Sequence, residues 1–91
     1  MNLIHKQELE IYDINILHLP YNSKILKVAE QDEKLMVWYI YDYSYIEKKE
    51  KRIFYIYGTG NPIDTYDVRT REHIDTILMS NGLVWHIFLA V

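Results

Sequence analysis

The chain has 91 residues, of which 49% are hydrophobic, no cysteine, and a formal net charge of −3 at pH 7. The absence of cysteine excludes a disulfide framework and a thiolate metal site. The negative charge makes duplex nucleic acid an unfavourable partner, and the high apolar share predicts one folded domain over residues 1–91.

The composition favours β-strands. Nine residues are tyrosine, and aromatic side chains make up 14% of the chain. Branched and aromatic side chains suit a pleated sheet and crowd a helix. We therefore expect an all-β fold, a small antiparallel sandwich or barrel of roughly six to seven strands with little or no helix.

The N-terminal third predicts strands separated by turns. Residues 6–19 alternate apolar with polar side chains, which indicates one strand with an irregularity at residues 12–13, or two short strands. Residues 20–23 (PYNS) predict a turn, because proline fixes φ and the Asn and Ser side chains can bond nearby backbone. A strand over residues 24–30 then leads into a hairpin loop at residues 31–34.

Two strands in the middle of the chain are apolar or aromatic on both faces. Residues 35–43 place Met36, Trp38 and Ile40 on one face and Val37 and three tyrosines on the other. After a charged connection, residues 51–57 place Phe54 opposite Tyr55 and Tyr57. Either two sheets enclose these strands, or an outer tyrosine face meets a ligand or a second subunit.

The C-terminal third contains a break and a hairpin. Residues 58–62 (GTGNP) end the preceding strand, and residues 63–71 form a polar connection without clear periodicity. Strands are predicted over residues 73–79 and 83–90. Between them, Asn81-Gly82 predicts a type I′ hairpin turn, because both residues tolerate positive φ angles.

Three segments carry a resemblance to a known family. They are Leu19-Pro20 followed by ILKV at 25–28, GTGNP at 58–62, and LVWHIF at 83–88. From about residue 17 onward the chain resembles short bacteriophage and prophage proteins that share P-x4-I-L-x-V, G-T-G-x-P and a C-terminal L-V-W-H-[IV]-F, and whose activity is not established. It departs from them in the charged hairpin at 43–51 and the apolar residues 89–91.

The resemblance implies a viral accessory protein made in the cytoplasm of a bacterial host and dispensable for virion architecture. Short, β-rich, oligomeric phage proteins include several that capture cyclic or ADP-ribose-type nucleotides made as host immune signals, which suggests a role in counter-defence. The start of the chain has no secretory signal, and its apolar runs are shorter than the roughly 20 residues that cross a bilayer. We expect no membrane partner.

The segment Gly58-Thr59-Gly60-Asn61 is a candidate anion site. Two glycines can turn backbone N–H groups toward a phosphate, and Thr59 adds a hydroxyl. A tight turn that leaves the sheet explains the same residues and is favoured, because the segment lacks the Walker lysine and the spacing of a dinucleotide-binding loop.

Arg69 and Arg71 are candidate phosphate ligands. They project from one side if the polar connection is extended, and guanidinium groups suit phosphate. The two arginines could equally belong to a solvent-exposed set of mixed charges with Asp64, Asp67 and Glu72, and this second interpretation is favoured.

Trp85 and His86 lie on opposite faces of the last strand. His86 is expected to be a structural histidine bonded to backbone or to a tyrosine. The four histidines have no metal-ligand spacing, so neither a metal nor a cofactor is expected. A hydrolase that uses His86 with Asp42 or Asp75 has no supporting motif.

The tyrosines predict a binding or association surface. Tyr39, Tyr41, Tyr55 and Tyr57 are expected to form a stripe across two adjacent strands. Such a stripe can stack a nucleobase or form a subunit interface, and the interface is favoured. Both hold if the ligand binds between subunits.

The sequence thus predicts a non-enzymatic homo-oligomer that sequesters a small anionic ligand such as a nucleotide signal. The alternative is an adaptor or inhibitor that binds a host protein through its aromatic surface, and the third hypothesis is a small nucleotide-cleaving enzyme. The predicted ligand-binding residues are Tyr57, Gly58, Thr59, Gly60, Asn61, Arg69, Arg71, Trp85 and His86.

Overall fold

The computed structural model describes all residues from Met1 to Val91 and confirms the all-β fold. Seven strands form two antiparallel sheets, accompanied by one short helix and one 3₁₀ turn. The strands are β1 (Asn2–Leu9), β2 (Ile14–Pro20), β3 (Lys24–Gln31), β4 (Lys34–Asp42), β5 (Lys49–Gly58), β6 (Arg71–Leu78) and β7 (Val84–Ala90); the 3₁₀ turn covers Tyr43–Tyr45 and α1 covers Thr65–Thr70.

The two sheets pack face to face around one core. The first has the strand order β1-β4-β3, and the second has the order β2-β5-β7-β6. Alternate residues of each strand face the interior, so β4 shows strict alternation of buried and half-buried side chains. The core consists of Leu9, Leu17, Leu19, Val28, Leu35, Val37, Tyr39, Tyr41, Phe54, Ile56, Ile77, Met79, Ile87 and Leu89.

The alternating segment at the N-terminus forms two strands in different sheets. The buried side chain of Asn15 bonds both the backbone N–H and the carbonyl of Glu10, each at 2.9 Å. These bonds hold the corner between β1 and β2 and satisfy backbone groups that leave the ladder there. Of the two alternatives for residues 6–19, two short strands is therefore the one observed.

The hairpin turns differ from the sequence prediction in one case. Asp32 and Glu33 both have positive φ angles, 53° and 66°, which is the type I′ pattern. At the β6–β7 hairpin only Gly82 has a positive φ angle, 89°. The predicted type I′ turn at Asn81-Gly82 is therefore wrong. The Met79 N–H bonds the Leu83 carbonyl at 2.8 Å. That pairing makes a three-residue loop with glycine in the left-handed position.

The tyrosine stripe predicted across β4 and β5 is also wrong, because these strands belong to different sheets. Tyr39 and Tyr41 face the core and are 7% and 2% exposed. Tyr55 and Tyr57 lie on the outer face of the four-stranded sheet. The predicted side-chain alternation within β4 and within β5 is correct, but the two strands do not pair with each other.

The polar connection before β6 contains α1, which begins after Asp64 and ends at Thr70. Neither α1 nor the 3₁₀ turn has the length or the apolar run that a bilayer crossing requires.

Candidate ligand-binding site

The outer face of the four-stranded sheet has no covering layer. Tyr55 and Tyr57 of β5 point outward, and Tyr57 packs edge to face against Phe88 of β7 at 5.5 Å between ring centres. On the neighbouring strand β2, Ile14 and Ile16 are 55% and 52% exposed. A sheet face with this composition is a surface suited to binding rather than a solvated exterior.

Two adjoining clefts lie at one end of this face, and both are lined by Tyr57 and Asn61. The first has a volume of about 340 Å³ and the second about 270 Å³. The first is lined by Asp13, Ile14, Tyr55, Ile56, Tyr57, Asn61, Pro62 and Arg71, and the second by Tyr57, Gly58, Thr59, Gly60, Asn61, Ile63, His86 and Phe88.

Arg71 supplies the positive charge of the first cleft. Its guanidinium carbon lies 3.4 Å from the centre of the Tyr55 ring, and Nη1 donates to the Tyr57 hydroxyl. Nη2 pairs with Asp67 of α1 at 3.2 Å. The remaining guanidinium N–H groups have no protein acceptor. Arg71 is thus held in place by an aromatic stack and two polar contacts, with part of its hydrogen-bonding capacity unused.

The Gly58–Asn61 segment is a tight turn. The Asn61 N–H bonds the Gly58 carbonyl at 3.1 Å, and Gly60 has a φ of +90°, a conformation that favours glycine. The N–H groups of Thr59 and Gly60 bond no protein acceptor. The segment therefore makes the turn that the sequence favoured and also leaves two backbone donors beside the second cleft.

His86 belongs to a chain of side-chain hydrogen bonds along the sheet surface. Its Nε2 lies 2.8 Å from the Thr59 hydroxyl, and its Nδ1 lies 3.0 Å from the Thr76 hydroxyl. The same Thr76 oxygen lies 2.9 Å from Nε2 of His73. The partners of His86 are threonines, so the expected bond to backbone or tyrosine is wrong.

The network leaves His86 without a carboxylate partner. Asp42 lies on the other sheet, and Asp75 accepts from the Thr76 backbone N–H at 2.9 Å. Both ring nitrogens bond neutral hydroxyls, so the hydrogen-bonding capacity of the imidazole is used within the network and His86 positions Thr59 at the rim of the second cleft.

Two predicted residues lie away from the clefts. Arg69 is an exposed residue of α1, because the connection is helical rather than extended, and it lines neither cleft. Trp85 is on the inner face of β7 and packs against the core. Its ring lies close to Gly58, where an added Cβ would be 3.5 Å from Trp85 Cζ3. The other seven predicted residues line one or both clefts.

Sequence reasoning missed several lining residues. Tyr55 belongs to the predicted tyrosine stripe but not to the predicted ligand-binding residues, although it shares the outward face of its strand with Tyr57. Asp13 and Ile14 had none, because they enter the site only through the non-local pairing of β2 with β5. No group of three or more His, Cys, Asp or Glu side chains could hold a metal ion.

The chain matches a known protein family. A family model described as a domain of unknown function, DUF7352, matches residues 1–91. No curated protein and no solved structure matches the chain. The expected membership of a family without an assigned activity is thus confirmed. Because the model covers the whole chain, the chain belongs to the DUF7352 family.

Proposed function

We propose that this chain is a non-enzymatic binding protein that sequesters a small anionic ligand with a planar ring. The ligand would bind in the two adjoining clefts that share Tyr57 and Asn61, which we call the twin cleft. The observation that carries the proposal is the convergence of seven predicted residues on two adjoining clefts, beside a guanidinium fixed against Tyr55. An anionic group would bind the unused N–H groups of Arg71, and a ring would lie against the half-buried aromatic side chains of Tyr57 and Phe88.

The twin cleft also offers groups that can read the rest of such a ligand. Thr59 and Gly60 provide free backbone donors, and the Asn61 side chain lies between the two clefts. The combined volume of roughly 600 Å³ is in the range typical of small-molecule sites. The ion pair with Asp67 opposes anion binding in part, so the ligand must displace or share that contact.

A nucleotide is the ligand class that we propose within this chemistry, because it combines phosphate with a stacking base. The resemblance to phage-encoded proteins supports a nucleotide made as a host immune signal, bound in the cytoplasm of a bacterial cell. The role would then be counter-defence by sequestration.

Native mass spectrometry tests this proposal directly. The protein is purified gently from bacterial cells that carry active nucleotide-signalling defence and, in parallel, from cells that lack it. An additional mass in the nucleotide range, present only in the first sample, supports capture. A protein without added mass, from cells shown to contain the signal, contradicts it.

A second candidate function is association through the uncovered sheet face, either with another copy of the chain or with a host protein. It is favoured by the exposure of Ile14 and Ile16 next to the clefts and of Leu78 at 77% on β6. Isolated exposed apolar residues are ordinary, but an uncovered sheet face that carries them on both edge strands is suited to association with a partner. If two copies pair here, the ligand would bind between subunits.

A further inference from the structure

The outer face of the three-stranded sheet is the opposite side of the molecule and differs in charge from the rest of it. Four of the seven lysines project from this face, although the whole chain has a net charge of −3. Buried Leu9, Val28 and Leu35 turn the alternate residues of their strands outward. On β3 a register shift between Ile25 and Lys27 restores Lys24 to the same outer face, opposite Ile40. The lysines are Lys6 on β1, Lys24 and Lys27 on β3, and Lys34 on β4.

Most of this positive charge is not neutralised. Lys34 pairs with Glu8 at 3.9 Å, whereas Lys24 and Lys27 take part in no ion pair. Lys6 donates to the neutral side chain of Gln31 and keeps its full charge. Besides Glu8, the only strand carboxylate on this face is Asp42 at the end of β4.

Trp38 lies at the centre of the same face. It is the cross-strand neighbour of Lys6 on one side and Lys27 on the other. Together with Ile4, which is 57% exposed, Trp38 and Lys6 line a shallow open depression. A half-buried indole between two lysines presents a flat ring with cations on both sides.

We propose that this face, centred on Trp38, binds single-stranded nucleic acid. Unpaired bases stack on aromatic rings while lysines contact the phosphates, and such binding tolerates many sequences. The acidic net charge opposes a duplex along the whole molecule, but a single strand follows the positive face alone. An anionic membrane fits less well, because Met36, Trp38 and Ile40 of β4 are half-buried and Ile4 is the one exposed apolar side chain that β1 adds to this face.

The proposal is tested with a fluorescent oligothymidylate of about 15 nucleotides, titrated at several salt concentrations and followed by anisotropy. Three unpaired lysines predict that the logarithm of the binding constant falls with the logarithm of the salt concentration, with a slope of about −2. The test variant is the double substitution Lys24→Glu and Lys27→Glu, and Trp38→Leu removes the ring.

A matched variant separates the face from bulk charge. Lys49 and Lys51 of β5 are exposed and unpaired. The double substitution Lys49→Glu and Lys51→Glu therefore changes the net charge by the same amount as the β3 variant, but on the other sheet. We expect the affinity for the oligonucleotide to fall at least roughly tenfold in the double substitution on β3, roughly fivefold in Trp38→Leu, and less than about twofold in the double substitution on β5. Circular dichroism and melting curves establish that each variant is folded.

Three outcomes would overturn the proposal. The first is no detectable binding of the oligonucleotide by the folded wild-type chain at low salt. The second is an equal loss in both charge-reversal pairs. The third is binding to anionic phosphatidylserine vesicles but not to the oligonucleotide. The double substitution Lys24→Glu and Lys27→Glu should leave the binding of ADP-ribose in the twin cleft unchanged, so failure of this proposal is distinguished from failure of the proposed function.

Discussion

The guanidinium of Arg71 lies over the ring of Tyr55, with 3.4 Å from Cζ to the ring centre, across the intervening strand β7. The same group donates to Tyr57 two residues along β5. One arginine thus connects β6 to β5 over the sheet surface. Because the contact fixes the side chain before any ligand arrives, less ordering entropy is lost on binding.

Arg71→Lys keeps the charge but removes the planar stack and the fork of donors. We expect the free energy of unfolding to fall by about 1 kcal/mol, the size of a partly buried cation–π contact. Chemical denaturation measures this change. Arg69→Lys is the matched control and should leave stability unaltered, because Arg69 is exposed on α1. An equal loss in both variants would contradict the structural role of Arg71.

Asp67→Asn should strengthen anion binding in the first cleft. The carboxylate pairs with Arg71 at 3.2 Å and competes with any incoming phosphate. Removal of this partly buried ion pair predicts an increase in affinity for ADP-ribose of about two- to fivefold, measured by calorimetry at low salt. Asp64→Asn, at the start of the same helix, is the control. An unchanged or lower affinity in Asp67→Asn would show that the two groups do not compete.

Ile16→Lys tests self-association through the outer face of the four-stranded sheet. A lysine at this 52% exposed position should disperse an oligomer into monomers, because an unpaired charge cannot be buried in an apolar interface. Sedimentation velocity reports the change in mass. Ile11→Lys has similar exposure, 47%, but lies at the β1–β2 corner. Oligomers that persist in Ile16→Lys would exclude this face as the interface.

Burial raises the pKa of Tyr39 above its usual value near 10, and the neighbouring Tyr41 adds to the effect. The folded chain therefore holds this phenolic proton more tightly than the unfolded chain does. The resulting stability is present below about pH 10 and is lost as the pH rises through the folded-state pKa. Tyr39→Phe should show a smaller alkaline loss of unfolding free energy than the wild type. Tyr12→Phe, at a 66% exposed position, should behave like the wild type.

Strand positions could be predicted from the sequence because side-chain alternation is a local property. The alternation in residues 35–43 and 51–57 identified which side chains share a face. It could not identify which strands pair, and so Tyr39 was placed beside Tyr57 although one is in the core and the other on the surface. Strand pairing depends on long-range packing, which no local pattern encodes.

The candidate site could likewise be predicted only where its residues are close in sequence. Residues 57–61 stay together because they are contiguous in sequence, and His86 joins them through the pairing of Tyr57 with His86 on adjacent strands. Arg69 was misplaced because residues 65–70 form a helical turn that lacks a hydrophobic periodicity. At the β6–β7 hairpin, loop length rather than the Asn-Gly pair determined the turn type.

A calorimetric titration of the wild-type chain, Arg71→Ala and Arg69→Ala with ADP-ribose and with a cyclic dinucleotide tests whether the twin cleft binds a nucleotide through Arg71. We expect that at least one compound binds the wild type, that Arg71→Ala weakens its binding by about tenfold or more, and that Arg69→Ala changes it by less than about twofold. Equal affinity in the wild type and Arg71→Ala, or no binding of either compound to the wild type, would contradict this expectation.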